Sequence, residues 1–474
     1  MTSPATATKN CGKPAHPSPT RGRFRLLLPL LAASLPAAAS AQISLASAID
    51  LALKINPRVL AAQADVARTQ AIVDQTKDVY IPTVSVGFGY GKSYGYLGGQ
   101  PSIVTLTTQS LVYSPSQRNY IRAAKDGVSA ARMNLLDARE SVAEEVALAY
   151  VAVDRDSKRS RTLDEQLEYA TRLVHIVEDR VSGGRDTGLD LTSARLAAAQ
   201  IRLAKLRSED EASYDRERLA RLLDLPARVL SVDEQIPPIP IIEDQPYSRP
   251  MMPLVQAAYA NARAKHEIAM GDSRYLYRPQ LGFSGEYARY AKYNGSDVYL
   301  LRFQHNNAGV GVQVVIPFFD RGHQAKARET AAEAARTLHE ADNARDLVTD
   351  GQAKLFHNVA ELRARSEVAE LDQQLAQQQL EAVRLQMTQA PSGTTVLITP
   401  RDEQNSHIAE REKFLTRVES EFQLRTAQIS LLRQTGGLGR WLQMAIDAIP
   451  ANVPNLTPAD SAATPPVGSA TARK

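Results

Sequence analysis

The chain has 474 residues, with 56 Lys+Arg against 52 Asp+Glu and a single cysteine. Five of the basic residues and that cysteine, Cys11, lie in the first 25 positions with no acid among them, so the rest carries 51 basic against 52 acidic side chains. Near-neutrality leaves no case for nucleic-acid binding, and the lack of cysteine after Cys11 excludes disulfides, a thiolate nucleophile, cysteine metal ligands and a lipidated cysteine there.

Residues 1–41 read as a secretory signal peptide. Arg21, Arg23 and Arg25 precede an apolar run from Leu26 to Leu35, and Ala37-Ala38-Ala39-Ser40-Ala41 supplies an Ala-x-Ala cleavage site. The run holds Pro29 and Pro36 and is too short to span a membrane as a helix, which needs about 20 apolar residues. No later stretch approaches that length, so a spanning segment here must be a closed β-barrel.

The remainder reads as two copies of one unit: 42–240, then a Pro-rich linker at 241–250, then 251–438. Tyr80-Ile81-Pro82 and Tyr277-Arg278-Pro279 each precede an alternating segment, and Tyr113 and Phe319 each close one before a long helix. The first copy predicts a helix over 44–78, strands over 83–92 and 103–113, and a helical hairpin of 117–182 and 188–224. The second predicts a helix over 251–276, strands over 280–290 and 308–316, and helices over 321–389 and 400–436. The tail, 439–474, is rich in Pro and Ala and is expected to be unstructured.

In the first long helix Ile121, Ala124, Val128, Ala131, Leu135, Ala138 and Val142 alternate spacings of three and four. The series resumes at Val146, passes polar Asp156 and Ser160, and continues from Leu163 to Val181. Such a seam demands a packed partner helix. At about 1.5 Å per residue each long helix spans about 100 Å. Only two shorter helices end to end match that, and the lengths pair 188–224 plus 251–276 with the first long helix, and 400–436 plus 44–78 with the second. The charges from Asp154 to Arg161 are expected on a solvated face.

The strands alternate. Val84, Val86, Phe88 and Tyr90 oppose Ser85, Gly87, Gly89 and Gly91, and Val310, Val312 and Val314 oppose Gly309, Gly311 and Gln313. An apolar face opposite small or polar residues, at about 10 residues per strand, is the pattern of a transmembrane barrel, with the apolar set toward lipid. Tyr94, Tyr96, Tyr290, Tyr293 and Tyr299 gather near the hairpin ends, where an aromatic girdle would lie. Four strands cannot close a barrel, whose small end is about 8, whereas three copies would give twelve.

From Ile43 to Trp441 the chain resembles the TolC family of outer-membrane factors. The resemblance lies in the element order, the duplication, and the segments Val315-Ile316-Pro317-Phe318-Phe319-Asp320-Arg321-Gly322, Leu111-Val112-Tyr113-Ser114, 188–195, 393–397 and 431–441. It implies a mainly α protein with a small β-barrel contribution: a long coiled-coil α-helical barrel plus four transmembrane strands per subunit, twelve in a homotrimer set in outer-membrane lipid. It further implies an exit duct of a tripartite efflux or type I secretion system, passive, fed through a periplasmic adaptor (membrane fusion) protein by an inner-membrane pump of RND or ABC type. The periplasmic tip, as gate and adaptor contact, falls on Gly184, Thr187, Gly188, Asp190, Gly393, Thr394, Thr395 and Asp402. Asp190 matches the family acid that holds neighbouring coils together, and Gly393 stands where its basic partner would be. The acids that ring the family's constriction fall on Leu397 and Pro400, which leaves Asp402 and Glu403 as the nearest carboxylates. On the residues alone Asp190 reads equally as a first-turn acid beside Thr187.

The histidines are dispersed with no metal-ligand spacing, His339 and His357 reading as surface residues, and the glycine pairs end helices without a phosphate-binding context. No cofactor, metal or enzymatic activity is expected. The other reading of the pattern is a soluble periplasmic coiled-coil scaffold or adaptor.

Overall fold

The computed structural model describes residues 42–89, 102–228, 230–232, 236–240, 251–290, 304–389 and 399–447. All lie in one compact unit, Ser40–Lys474. The expected leader and linker lie outside the described residues.

β1 (Gln42–Ile43) leads into α1 (Leu45–Ile55), whose first turn is capped by the Ser44 hydroxyl accepting from the Ser47 amide. The helix expected over 44–78 is broken at Asn56. Its amide donates to Ala52 O to end α1, and its side chain accepts from Arg58 N to begin α2 (Pro57–Asp78). Pro57 causes the break, since it lacks an amide proton for a continuous helix and suits a first helical position.

β2 (Thr83–Phe88) and β3 (Ser102–Tyr113) precede α3 (Pro115–Ser182), a helix of 68 residues. After a tight turn comes α4 (Gly188–Leu223), then β4 (Ser231–Val232), which pairs in parallel with β1. α5 (Pro253–Ser273), β5 (Gln280–Tyr290) and β6 (Asn306–Val315) follow. α6 (Arg321–Gln389), α7 (Pro400–Gln434) and α8 (Leu438–Asp447) end the described chain. The larger sheet is antiparallel throughout, in the order β2-β3-β5-β6.

α3 is the hub. It packs against α4 and α7 in its half toward the α3–α4 turn, and against α2 and α5 in its half toward the sheet. α6 packs against α7 and α5. The helices therefore lie side by side as α6–α7–α3–α4 at one level and α6–α5–α3–α2 at the other. The first expected pairing holds, because α4 and α5 both lie on α3. The second is corrected: α2 packs on α3 rather than completing a column on α6, because α5 occupies the sheet-side half of α6.

The core gathers on the middle of α3. Val142, Val146, Tyr150 and Val153 pack with Leu45 and Ile49, with Leu219 and Leu223, and with Ile429, Leu432 and Trp441. Burial here runs round the whole helix, since α1, α2, α4, α7 and α8 all contact it. Polar side chains caught in this section find partners. Tyr150 Oη donates to Ile43 O at 2.9 Å. Asp156, only 1 % exposed, accepts from Arg155, whose guanidinium lies 4.3 Å over the Phe422 ring. Asp154 takes Lys158 at 2.9 Å and Arg425 at 3.6 Å. These charges were expected on a solvated face, but the α3 seam runs through Asp156, and α4 and α7 close over it.

The tail expected to be unstructured from 439 begins instead as α8. Gly437 N donates to Leu432 O at 2.8 Å, which turns the chain back. Trp441 is then 1 % exposed in the core, and its indole N–H donates to Pro238 O at 3.3 Å. Trp441→Ala should lower the unfolding free energy by about 3–5 kcal/mol. Tyr150→Phe should cost only about 1 kcal/mol, for one lost hydrogen bond. Denaturant titrations of the two variants against wild type read the difference.

Candidate functional site

Two regions carry the residues singled out from the sequence: one face of the larger sheet, and the turn ends of the long helices.

Directly paired residues in a sheet share a face. One face shows the rows Val84–Thr108–Gly285–Val310, Val86–Leu106–Tyr287–Ala308 and Phe88–Val104–Arg289–Asn306. The pairs Phe283–Val312 and Leu281–Val314 extend it. Every described member of the expected lipid-facing set (Val84, Val86, Phe88, Val310, Val312, Val314) falls on this face, and Tyr90 lies outside the described residues. The opposite face shows Ser85–Thr107–Glu286–Gly309 and Gly87–Thr105–Ala288–Asn307. There Ser85 and Thr107 hydrogen-bond through their hydroxyls at 2.6 Å. A slip of one residue would exchange the faces, so this register sorts all four strands at once. It also resolves β3, whose run of threonines hides the alternation in sequence.

The apolar face is open. Phe88 is 82 % exposed and Val310 83 %. Among the described residues, the outer edges of β2 and β6 have no neighbour in the sheet order.

At the other end, α3 stops at Gly183, and Gly184 takes φ +66°, a left-handed turn that glycine adopts without strain. α4 then begins with a capping box. Asp190 N donates to Thr187 Oγ1 at 3.3 Å, and the Asp190 carboxylate accepts from Thr187 N at 3.0 Å and Thr187 Oγ1 at 2.6 Å. α7 starts alike, with Asp402 accepting from Thr399 N and Oγ1, each at 2.8 Å.

Arginines join the two ends. Arg401, in the first turn of α7, donates to Asp190 at 3.1 Å and to Asp186 at 3.4 Å. Arg180 holds Asp186 with two bonds, of 2.9 and 3.0 Å, and the Asp186 side chain is 6 % exposed. Thr187 first, and Arg401 after it, lower the Asp190 carboxyl to about 2. The Arg180 guanidinium beside Asp186 likewise holds its carboxyl below the usual range.

Asp190 is the first-turn acid of α4 and also pairs with Arg401 of another helix. Among the described residues its basic partners come from Arg401, not from the position of Gly393. Gly393, Thr394 and Thr395 lie outside the described residues. Asp402 is turned inward as a cap, and Glu403 faces Arg384 at 3.7 Å, so neither carboxylate stands free. Arg180, Asp186 and Arg401 were not singled out from the sequence. The signal available was the repeat, which aligns Arg401, in the first turn of α7, with Arg195, further along α4; Arg195 binds Glu178 at 2.7 Å.

Residues 48–224 match the family model described as outer membrane efflux protein. No curated protein matches the chain in sequence. Solved outer-membrane channels match it in fold. CmeC of Campylobacter jejuni has a TM-score of 0.67 at 13 % identity, over 83 % of this chain and 86 % of its own. VceC of Vibrio cholerae has 0.65 at 18 % identity, over 84 % and 95 %. The outer-membrane channel OprN has 0.66 at 18 % identity, over 84 % and 90 %. The resemblance to TolC-like outer-membrane factors stands on these matches.

The depressed carboxyls set a pH window. A carboxylate favoured in the folded state stabilises it above its ordinary value near 4, and that contribution is lost as pH falls toward the folded value. Asp190 should stay charged at pH 5 and titrate near pH 2. Thr187→Ala should raise the Asp190 value more than Arg401→Ala does, because the Thr187 hydrogen bonds are the larger cause. Carboxyl NMR titration of the two variants checks the order.

Proposed function

We propose that this chain, with the fold of outer-membrane efflux channels, is one subunit of a homotrimeric exit duct. A twelve-stranded barrel crosses the outer membrane, and a helical barrel extends into the periplasm. The observation that carries the reading is the sheet: one face holds an apolar side chain in every row, is exposed, and is flanked by two open edges. In water such a sheet would invite aggregation, whereas in lipid a closed barrel removes the edges and uses the apolar face.

The helices support the same closure. β2, α2 and α4 form one border of the subunit, and β6 and α6 form the other. Exposed aliphatic side chains follow a heptad on each border, Leu189, Leu196 and Leu203 on α4, and Val368, Leu371 and Leu375 on α6. Each stripe asks for a helix that its own chain does not supply. Two different borders that fit each other make a head-to-tail interface, and such an interface closes into a ring. In that ring α2 would lie beside the next subunit's α6, the partner that its length first suggested.

The duct is a passive conduit for substrates delivered by an inner-membrane pump of RND or ABC type through a periplasmic adaptor. The tip at Gly184, Thr187, Gly188, Asp190 and Asp402, with the loop carrying Gly393, Thr394 and Thr395, is the gate and adaptor contact. The N-terminal leader directs export and is cleaved. No specific observation favours the soluble scaffold.

Cell fractionation tests the reading: the protein should appear in the outer membrane as a heat-sensitive trimer, and recovery in the soluble periplasm would overturn it. Val86→Arg and Val312→Arg should each cost about 2–4 kcal/mol of barrel stability and reduce the trimer. Gly311→Ser, on the opposite face with open space around it, should assemble normally. Leu203→Cys with Leu371→Cys, treated with a bifunctional thiol reagent, should give a three-rung ladder on gels.

A further inference from the structure

Above the tip, His407 of α7 is buried among three helices. Its ring stacks on Tyr169 of α3, with centroids 4.3 Å apart and planes 14° from parallel. From α6, Arg384 Nη2 lies 2.8 Å from His407 Nε2. A guanidinium can only donate, so Nε2 accepts and the ring is neutral, with its proton on Nδ1. Glu403 on α7 stands 3.9 Å from Nε2 and 3.7 Å from Arg384 Nε. The remaining charged neighbours are Glu410 and Arg411 on α7, and Arg172 over the far ring of the stack.

We infer that the Arg384–His407 contact is an acid-released latch between α6 and α7, through which mild acid loosens the tip half of the duct. A proton added at Nε2 removes the acceptor and sets two cations 2.8 Å apart. Arg384 then turns to Glu403, and α6 loses its hold on the histidine that bridges to α3. Burial, then Arg384, push the His407 value down. The histidine therefore supports the closed packing fully above its ordinary value near 6.5, and the support is lost as pH falls below it. The tip carboxylates keep their charge through this range, so the ion pairs of Asp186 and Asp190 do not respond. His175 of α3 is exposed and lies 3.6 Å from Glu178.

The inference rests on the duct reading, and two measurements separate them. The full chain in planar bilayers should conduct several-fold more at pH 5.0 than at 7.5. His407→Gln, a neutral acceptor at both values, should abolish that response and keep the pH 7.5 conductance. Equal responses in wild type and His407→Gln would overturn the latch. Amide exchange, corrected for its intrinsic pH dependence, should rise at pH 5.0 in 378–389 and 400–411 of wild type and not of the variant. A chain that conducts at neither pH defeats the duct reading, and exchange then decides the latch by itself: unchanged protection overturns it.

Discussion

Side-by-side packing on a single helix governs this molecule. α3 is too long for any one partner, so it takes a different pair of neighbours in each half, α4 and α7 toward the turn and α2 and α5 toward the sheet. Where the halves meet, every side of α3 must be filled. Alanines and valines allow close approach, and Tyr150, Asp154 and Asp156 are tolerated because each finds a partner. The position of every other helix follows from which side of α3 remains open. The borders of the subunit are the helices that α3 and α6 leave half covered.

The sheet follows the same logic with a different period. Both hairpins contribute two strands, and β3 pairs with β5 to join them. That pairing puts the alternation of each strand in phase with the others, which no single strand could do. The outcome is one mostly apolar face and one of mostly small or polar residues, on a sheet whose edges are open among the described residues. The sheet and the helix layer thus present the same two unmatched borders, and this agreement between levels is what supports a ring of identical subunits.

At the far end the physics turns electrostatic. Each tip helix begins with a threonine and an acid three residues on, a local device that the sequence alone can display. Arg401 then links the start of α7 to Asp186 and Asp190, and Arg180 holds Asp186 in place. Such solvent-screened pairs contribute little singly. Their value lies in fixing the relative position of two hairpins at their turn ends. The buried His407 above them, held between half-buried Tyr169 and exposed Arg384, answers to a different pH range, since an imidazole titrates where carboxylates and guanidinium groups do not.

Periodicity determined most of the fold. A heptad seam, a period-2 strand and the helix-end glycine Gly184 act over a few residues, so the long helices and the strands were legible in the sequence, while the break that Pro57 makes between α1 and α2 was not read from it. Cysteine placement and charge balance excluded whole classes of chemistry by count alone. Long-range choices were not legible. Whether α2 lies on α3 or α6, whether Asp156 faces solvent or core, and whether the chain after Leu438 folds back on Trp441 all depend on which surfaces remain open after the long helices have packed. The partner of Asp190 was hidden for a related reason: Arg401 is 211 positions away in the chain, and only the abutment of the two hairpins brings them within hydrogen-bond reach.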